Sequence, residues 1–127
     1  MKEGSFDYET AFSEWRQHVL TLKKDHPFAT PPRPGCISPQ SIFAAVRAIT
    51  RDDDTVAITD VGQHQMWAAQ FFTTDEPKHF ITSGGLGTMG FGLPAAAGAK
   101  VACPDKTVVL FSGDGSILMN CQEVATL

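Results

Sequence analysis

Three times along this chain a short run of apolar, β-branched or aromatic residues stops at a glycine-containing loop and gives way to a helical pattern. The runs are Thr55-Val56-Ala57-Ile58-Thr59, Phe80-Ile81-Thr82 and Thr107-Val108-Val109-Leu110-Phe111. The loops that follow are Asp60-Val61-Gly62-Gln63-His64-Gln65, Ser83-Gly84-Gly85-Leu86-Gly87-Thr88-Met89-Gly90 and Ser112-Gly113-Asp114-Gly115-Ser116. Short strands alternating with helices form a parallel sheet covered on both faces, with its ligand along the carboxyl edge. The expected fold is therefore α/β, an open parallel sheet with flanking helices. A parallel neighbour needs a crossover of about a dozen residues or more. Eleven residues follow Ser116, so the sheet is expected to be incomplete within this chain.

With 43% hydrophobic and 19% charged residues, the composition is that of a folded chain. A net charge of -4 with mixed signs leaves no basic stripe, so nucleic acid is not an expected partner. Cys36, Cys103 and Cys121 lack metal-ligand spacing and read as reduced thiols that pack as small hydrophobes. No apolar run approaches the roughly 20 residues of a membrane span, and the first residues carry neither a signal-peptide nor an Arg-rich transit pattern.

Upstream of the first strand, Phe12, Trp15, Val19 and Leu22 fall at helical spacing and predict an amphipathic surface helix over about residues 8–24, packed on something larger. Pro27, Pro31, Pro32 and Pro34 predict an extended connector over residues 25–35 and an element boundary there. Ser38-Pro39 reads as an N-cap with proline at the first helical position. Ile42, Val46 and Ile49 are expected to supply that helix's apolar stripe, ending near Thr50. Arg51-Asp52-Asp53-Asp54 reads as a solvated turn, because consecutive carboxylates converge poorly on one ion.

Asp114, between Gly113 and Gly115 and followed by Ser116, can hold Mg2+ beside a phosphate, since Mg2+ takes one or two carboxylates and completes its shell with phosphate oxygens. A plain Asp-Gly turn is the alternative. His64 is either a hydrogen-bonded histidine at a helix start or, with Gly62 and Gln63, part of an anion site at the helix N-terminus. Met89, flanked by small residues, would project into a ligand cleft, whereas Trp67 reads as core. Gly85-x-Gly87-x-x-Gly90 matches a dinucleotide fingerprint. The expected acidic residue is absent, however: Asp105 precedes its strand and does not close it. Close packing of the Ala-rich stretch from Pro94 to Ala102 on the sheet explains these glycines equally well.

The wording Asp60-Val61-Gly62-Gln63-His64-Gln65-Met66-Trp67-Ala68-Ala69-Gln70, then Ser83-Gly84-Gly85-Leu86-Gly87-Thr88-Met89-Gly90-Phe91-Gly92-Leu93-Pro94, then Gly113-Asp114-Gly115-Ser116 with Asn120 and Gln122-Glu123, resembles the thiamine-diphosphate enzymes. Within them it resembles the acetolactate synthase (acetohydroxyacid synthase) catalytic subunits. The resemblance implies that residues 38–127 are the first half of the C-terminal thiamine-diphosphate-binding domain, truncated. Residues 1–37 would be a helix and Pro-rich linker from a middle domain. It also implies that Gly62, Gln63, His64, Gly115 and Ser116 meet the diphosphate, that Gly113 is a further cofactor-binding residue and that Asp114 is a Mg2+ ligand. Gly87 would leave room for the aminopyrimidine, Val61 would be a further cofactor-binding residue, and Met89 would be the apolar wedge under the cofactor.

The reaction implied is a transfer in branched-chain amino acid biosynthesis, in which pyruvate is decarboxylated and the hydroxyethyl carbanion condenses with a second 2-keto acid. The full-length protein would also carry FAD, form a homodimer or tetramer with active sites at the subunit interface, and pair with a small regulatory subunit. It would be cytoplasmic in a bacterium and mitochondrial or plastid in a eukaryote. The family's closing Asn pair and its activating Glu are absent, so no catalytic residue is expected in this chain, which alone is expected to be inactive. Another thiamine-diphosphate-dependent carboligase or decarboxylase, and a non-catalytic short protein that binds an anion or a partner, are the alternatives.

Overall fold

The computed structural model describes residues 7–29, 34–50 and 54–127. Pro31, Pro32 and the Arg51-Asp52-Asp53 part of the expected polar turn lie outside the described residues. Ten elements follow in order: α1 (Tyr8–Ala11), α2 (Ser13–Asp25), α3 (Pro39–Ile49), β1 (Thr55–Thr59), α4 (Gln63–Phe71), β2 (Phe80–Thr82), α5 (Gly92–Ala102), β3 (Thr107–Phe111), α6 (Asp114–Met119) and a 3-10 segment (Cys121–Thr126).

The expected helix over residues 8–24 forms as two pieces. Asp7 caps the first by accepting the amide hydrogens of Glu9 and Thr10. Phe12 then leaves helical geometry at φ -115° and ψ 15°, and the Ser13 hydroxyl donates to the Thr10 carbonyl. Local side-chain bonds of this kind compete with the helical ladder. None of the α2 side chains is buried, and Trp15 stays 66% exposed.

Ser38 caps α3 as expected, its hydroxyl oxygen accepting the Ser41 amide at 3.2 Å, with Pro39 opening the helix. The apolar stripe is a correction to the sequence reading. Phe43 and Val46 face the sheet, whereas Ile42 is exposed and Ile49 is 84% exposed. Phe43 stacks 4.6 Å from the Phe111 ring, and the Arg47 guanidinium lies over Phe72. Rotating the helix to this face buries an aromatic ring, which has more apolar area to remove from water than an isoleucine.

The sheet is parallel, in the order β2-β1-β3, with Ala57 opposite Phe80 and Val109, and Thr59 opposite Thr82 and Phe111. β1 is central and buried at all five positions. Its alternation divides the core between two faces. Ala57 packs with Phe43, Ala68 and Phe72 beneath α3 and α4, while Val56 and Ile58 pack with Ala96 beneath α5. The alanines of α5 permit that close approach, and Gly92 allows the helix to begin against Leu110 and Asp60. Among the described residues β3 pairs on one side only.

α4 leaves β1 on the face that α3 covers, whereas α6 and the 3-10 segment after β3 lie toward α5. The chain therefore departs in opposite directions from the carboxyl ends of the two adjacent strands. Such a switch point opens a crevice in a parallel sheet.

Candidate functional site

The crevice holds a cavity of about 390 Å³ bounded by Val61, Gly62, Gln63 and His64 after β1, by Ser112, Gly113, Asp114, Gly115 and Ser116 after β3, and by Met89 and Trp67. Of the ten residues singled out from sequence, nine line this one space. Gly87 does not. It turns the second loop at φ +65°, donates its amide to the Ser83 carbonyl at 3.1 Å, and has Val61 Cγ1 as its nearest neighbour.

The first loop owes its shape to Gly62, at φ +149°, which precedes the first turn of α4. A Cβ there would sit 3.0 Å from His64 Cε1, and one on Gly113 would sit 3.2 Å from the same atom. Two glycines on two loops thus form a slot for the imidazole ring. The ring's Nε2 is buried and has no hydrogen-bond partner among the described residues. A buried polar atom without a partner costs about 1–3 kcal/mol, so an imidazole that lines the cavity carries a nitrogen in need of a partner. The first-turn amides of α4 face the same requirement, because a helix start leaves its N–H groups without intrahelical acceptors.

In the third loop Asp114 is exposed and opens α6. No group of three or more His, Cys, Asp or Glu side chains able to hold a metal occurs among the described residues, so Asp114 brings a single carboxylate. Ser116 is buried and its hydroxyl donates to the Val61 carbonyl at 3.3 Å. That hydrogen ties the third loop to the first, which leaves the Ser116 amide as the donor available at the helix start. Met89, 43% exposed, reaches across the crevice until its Cε lies 3.4 Å from the position a Gly115 Cβ would take. Among the described residues no Lys or Arg lines the cavity. A phosphate there must be met by amide dipoles, by the imidazole and by an added cation.

Sequence reasoning missed Asp60. It is fully buried and accepts four hydrogen bonds: from the amides of Val61 at 2.9 Å, Gly90 at 3.0 Å and Gly92 at 3.1 Å, and from the Ser112 hydroxyl at 3.5 Å. The available signal was a carboxylate ending an otherwise apolar strand, since a buried charge must find donors. This contact also disposes of the dinucleotide reading. The amides of Gly90, before α5, and Gly92, which opens it, would be needed by a pyrophosphate and are already held by a carboxylate. Gly90, at φ +86°, instead makes room for Asn120, whose side-chain amide donates to the Gly90 carbonyl at 2.6 Å. Gln65 joins the first two loops by donating to Thr82 Oγ1 at 2.8 Å.

A sequence profile described as thiamine pyrophosphate enzyme, C-terminal TPP binding domain, matches residues 60–127. The chain is 50% identical over 116 residues to the acetolactate synthase isozyme 1 large subunit of Escherichia coli (strain K12), covering 90% of this chain and 20% of that protein. It is 50% identical over 119 residues to the acetolactate synthase large subunit of Parasynechococcus marenigrum, covering 94% and 19%. With the chloroplastic acetolactate synthase 1 of Nicotiana tabacum it shares 46% over 126 residues, covering 99% and 18%. The chain spans about a fifth of the length of the curated relatives it matches.

Proposed function

Because this chain belongs to the thiamine pyrophosphate enzymes, through their C-terminal TPP-binding domain, we propose that it forms one wall of the thiamine-diphosphate site of an acetolactate synthase catalytic subunit. The observation that carries the reading is the buried, unpartnered Nε2 of His64 beside the amino end of α4. A diphosphate oxygen satisfies that nitrogen when it is protonated, and the helix start favours the same anion.

In this reading the amides of Gln63 and His64 and those of Gly115 and Ser116 bind the diphosphate from two sides. Gly62 and Gly113 keep the approach free of side chains. Asp114 would hold a Mg2+ ion through its carboxylate, and the ion would offset the charge of the diphosphate in a cleft that offers a lone acid. Gly87 would leave room for the aminopyrimidine, and Val61, its nearest neighbour, would line the same site. Met89 supplies apolar surface under the cofactor and keeps water from its reacting face. Bound thiamine diphosphate supplies the electron sink on which 2-keto acids are decarboxylated.

The substrates of the whole protein are proposed to be pyruvate and a second 2-keto acid, in branched-chain amino acid biosynthesis. Its wider equipment is proposed to include FAD, a homodimer or tetramer, and a small regulatory subunit. Residues 1–37 would connect a preceding domain, and residues 38–127 would open the cofactor domain. The matched relatives include bacterial proteins and one named as chloroplastic, so the proposed compartment is the cytoplasm in a bacterium and a plastid or mitochondrion in a eukaryote. Among the described residues no helix is long and apolar enough to cross a membrane.

The test is to express the gene product that carries this chain and supply pyruvate, thiamine diphosphate and Mg2+. Acetolactate formation is the expected result. Acetaldehyde as the sole product would assign the chain to a decarboxylase instead, and the absence of cofactor-dependent pyruvate consumption would remove the reading.

A further inference from the structure

Asp60 touches nothing in the cavity, yet among the described residues it is the one charged side chain that is buried. Its donors are distributed in a particular way. Oδ1 takes the amides of Val61 and Gly90, and Oδ2 takes the Gly92 amide and the Ser112 hydroxyl. Each of the three cleft loops thereby sends at least one donor to the same carboxylate. Moreover, Val61 adjoins Gly62, Gly90 adjoins Met89, and Ser112 adjoins Gly113. The carboxylate grips each loop at a cleft residue or immediately beside one.

We propose that Asp60 is the positioning residue of the cofactor cleft, setting the spacing of the three loops and so the reach of Met89 over Gly115 and the seat of His64. This inference rests on the thiamine-diphosphate reading of the cleft. All four contacts are donors, so the site demands acceptors on both oxygens. The first amide of α5 is among those donors, and the positive end of that helix stabilises the negative charge where it sits. An asparagine has the same shape but turns one acceptor into a donor. Whichever way its amide is set, at least one backbone N–H then meets an N–H, and one loop is released.

The experiment compares Asp60→Asn with Phe43→Leu in the protein that carries this chain. Phe43 packs on the opposite side of the sheet from α5 and does not line the cavity, so it reports loss of stability alone. Circular dichroism identifies a temperature at which both variants are folded, and calorimetric titration with thiamine diphosphate and Mg2+ then gives their affinities. Asp60→Asn is expected to weaken binding by about tenfold or more, the scale of a lost charge-assisted hydrogen bond, while Phe43→Leu stays within about twofold of the parent.

Equal affinities for Asp60→Asn and the parent would overturn the proposal, as would an equal loss in Phe43→Leu. If Asp60→Asn does not fold, Gly92→Ala serves in its place. Its Cβ would stand 2.8 Å from Leu110 Cδ1 and 3.0 Å from both Cβ and Oδ2 of Asp60, and so presses on the Asp60 side chain without entering the cavity. Weakened binding in folded Gly92→Ala supports the proposal, and unchanged binding overturns it. Failure of the parent protein to bind thiamine diphosphate would instead remove the functional reading on which the inference stands.

Discussion

Asp60 and Asp114 follow adjacent strands, yet one is sealed against three amides and the other faces solvent. Their expected sensitivities differ accordingly. Asp114→Ala should leave folding almost untouched and abolish the Mg2+-dependent part of thiamine-diphosphate binding, read by titrating the cofactor with and without the metal. A retained Mg2+ effect would refute the ligand assignment. Met89→Ala should lower turnover by about tenfold or more while shifting stability by less than about 1 kcal/mol, because the side chain is already 43% exposed and loses little buried area. Steady-state rates and chemical denaturation check the two halves of that statement. Asp114, His64 and Met89 were legible because each stands in or beside a glycine loop that marks itself locally. Asp60 was not, since three of its four donors lie 30, 32 and 52 residues away and no local pattern records them.

At the level of elements, β1, β2 and β3 form over the residues that their apolar runs indicated. Runs buried by helices on both sides carry a signal that depends little on partners. The helices were harder to read. In α3 two faces competed, one with Ile42 and Ile49 and one with Phe43 and Val46, and the choice fell to the face that could stack on Phe111 and Phe72. That choice is tertiary and has no local mark. It predicts that Phe43→Ala destabilises the protein by about 3–5 kcal/mol, whereas Ile49→Ala stays within about 0.5 kcal/mol. Denaturant midpoints of the two variants measure the difference, and equal values would contradict the observed face.

Across the molecule, α2 and the sheet are largely independent, since no α2 side chain is buried. Removing residues 7–25 should therefore leave the thermal transition of the sheet and the affinity for thiamine diphosphate within about twofold, as followed by calorimetry. A large loss would show that α2 supports the cleft. The parallel architecture and a cleft along the carboxyl edge were readable from the order of strands and loops, but the switch point and the closing of three loops on one carboxylate were not. The free side of β3 bears on how these 127 residues behave in solution by themselves. Its amides and carbonyls alternate along an extended backbone with no strand beside them among the described residues, which makes the edge a template for the same strand of another molecule. Light scattering from the isolated chain should rise with its concentration, and a charged residue placed on that edge should delay the onset.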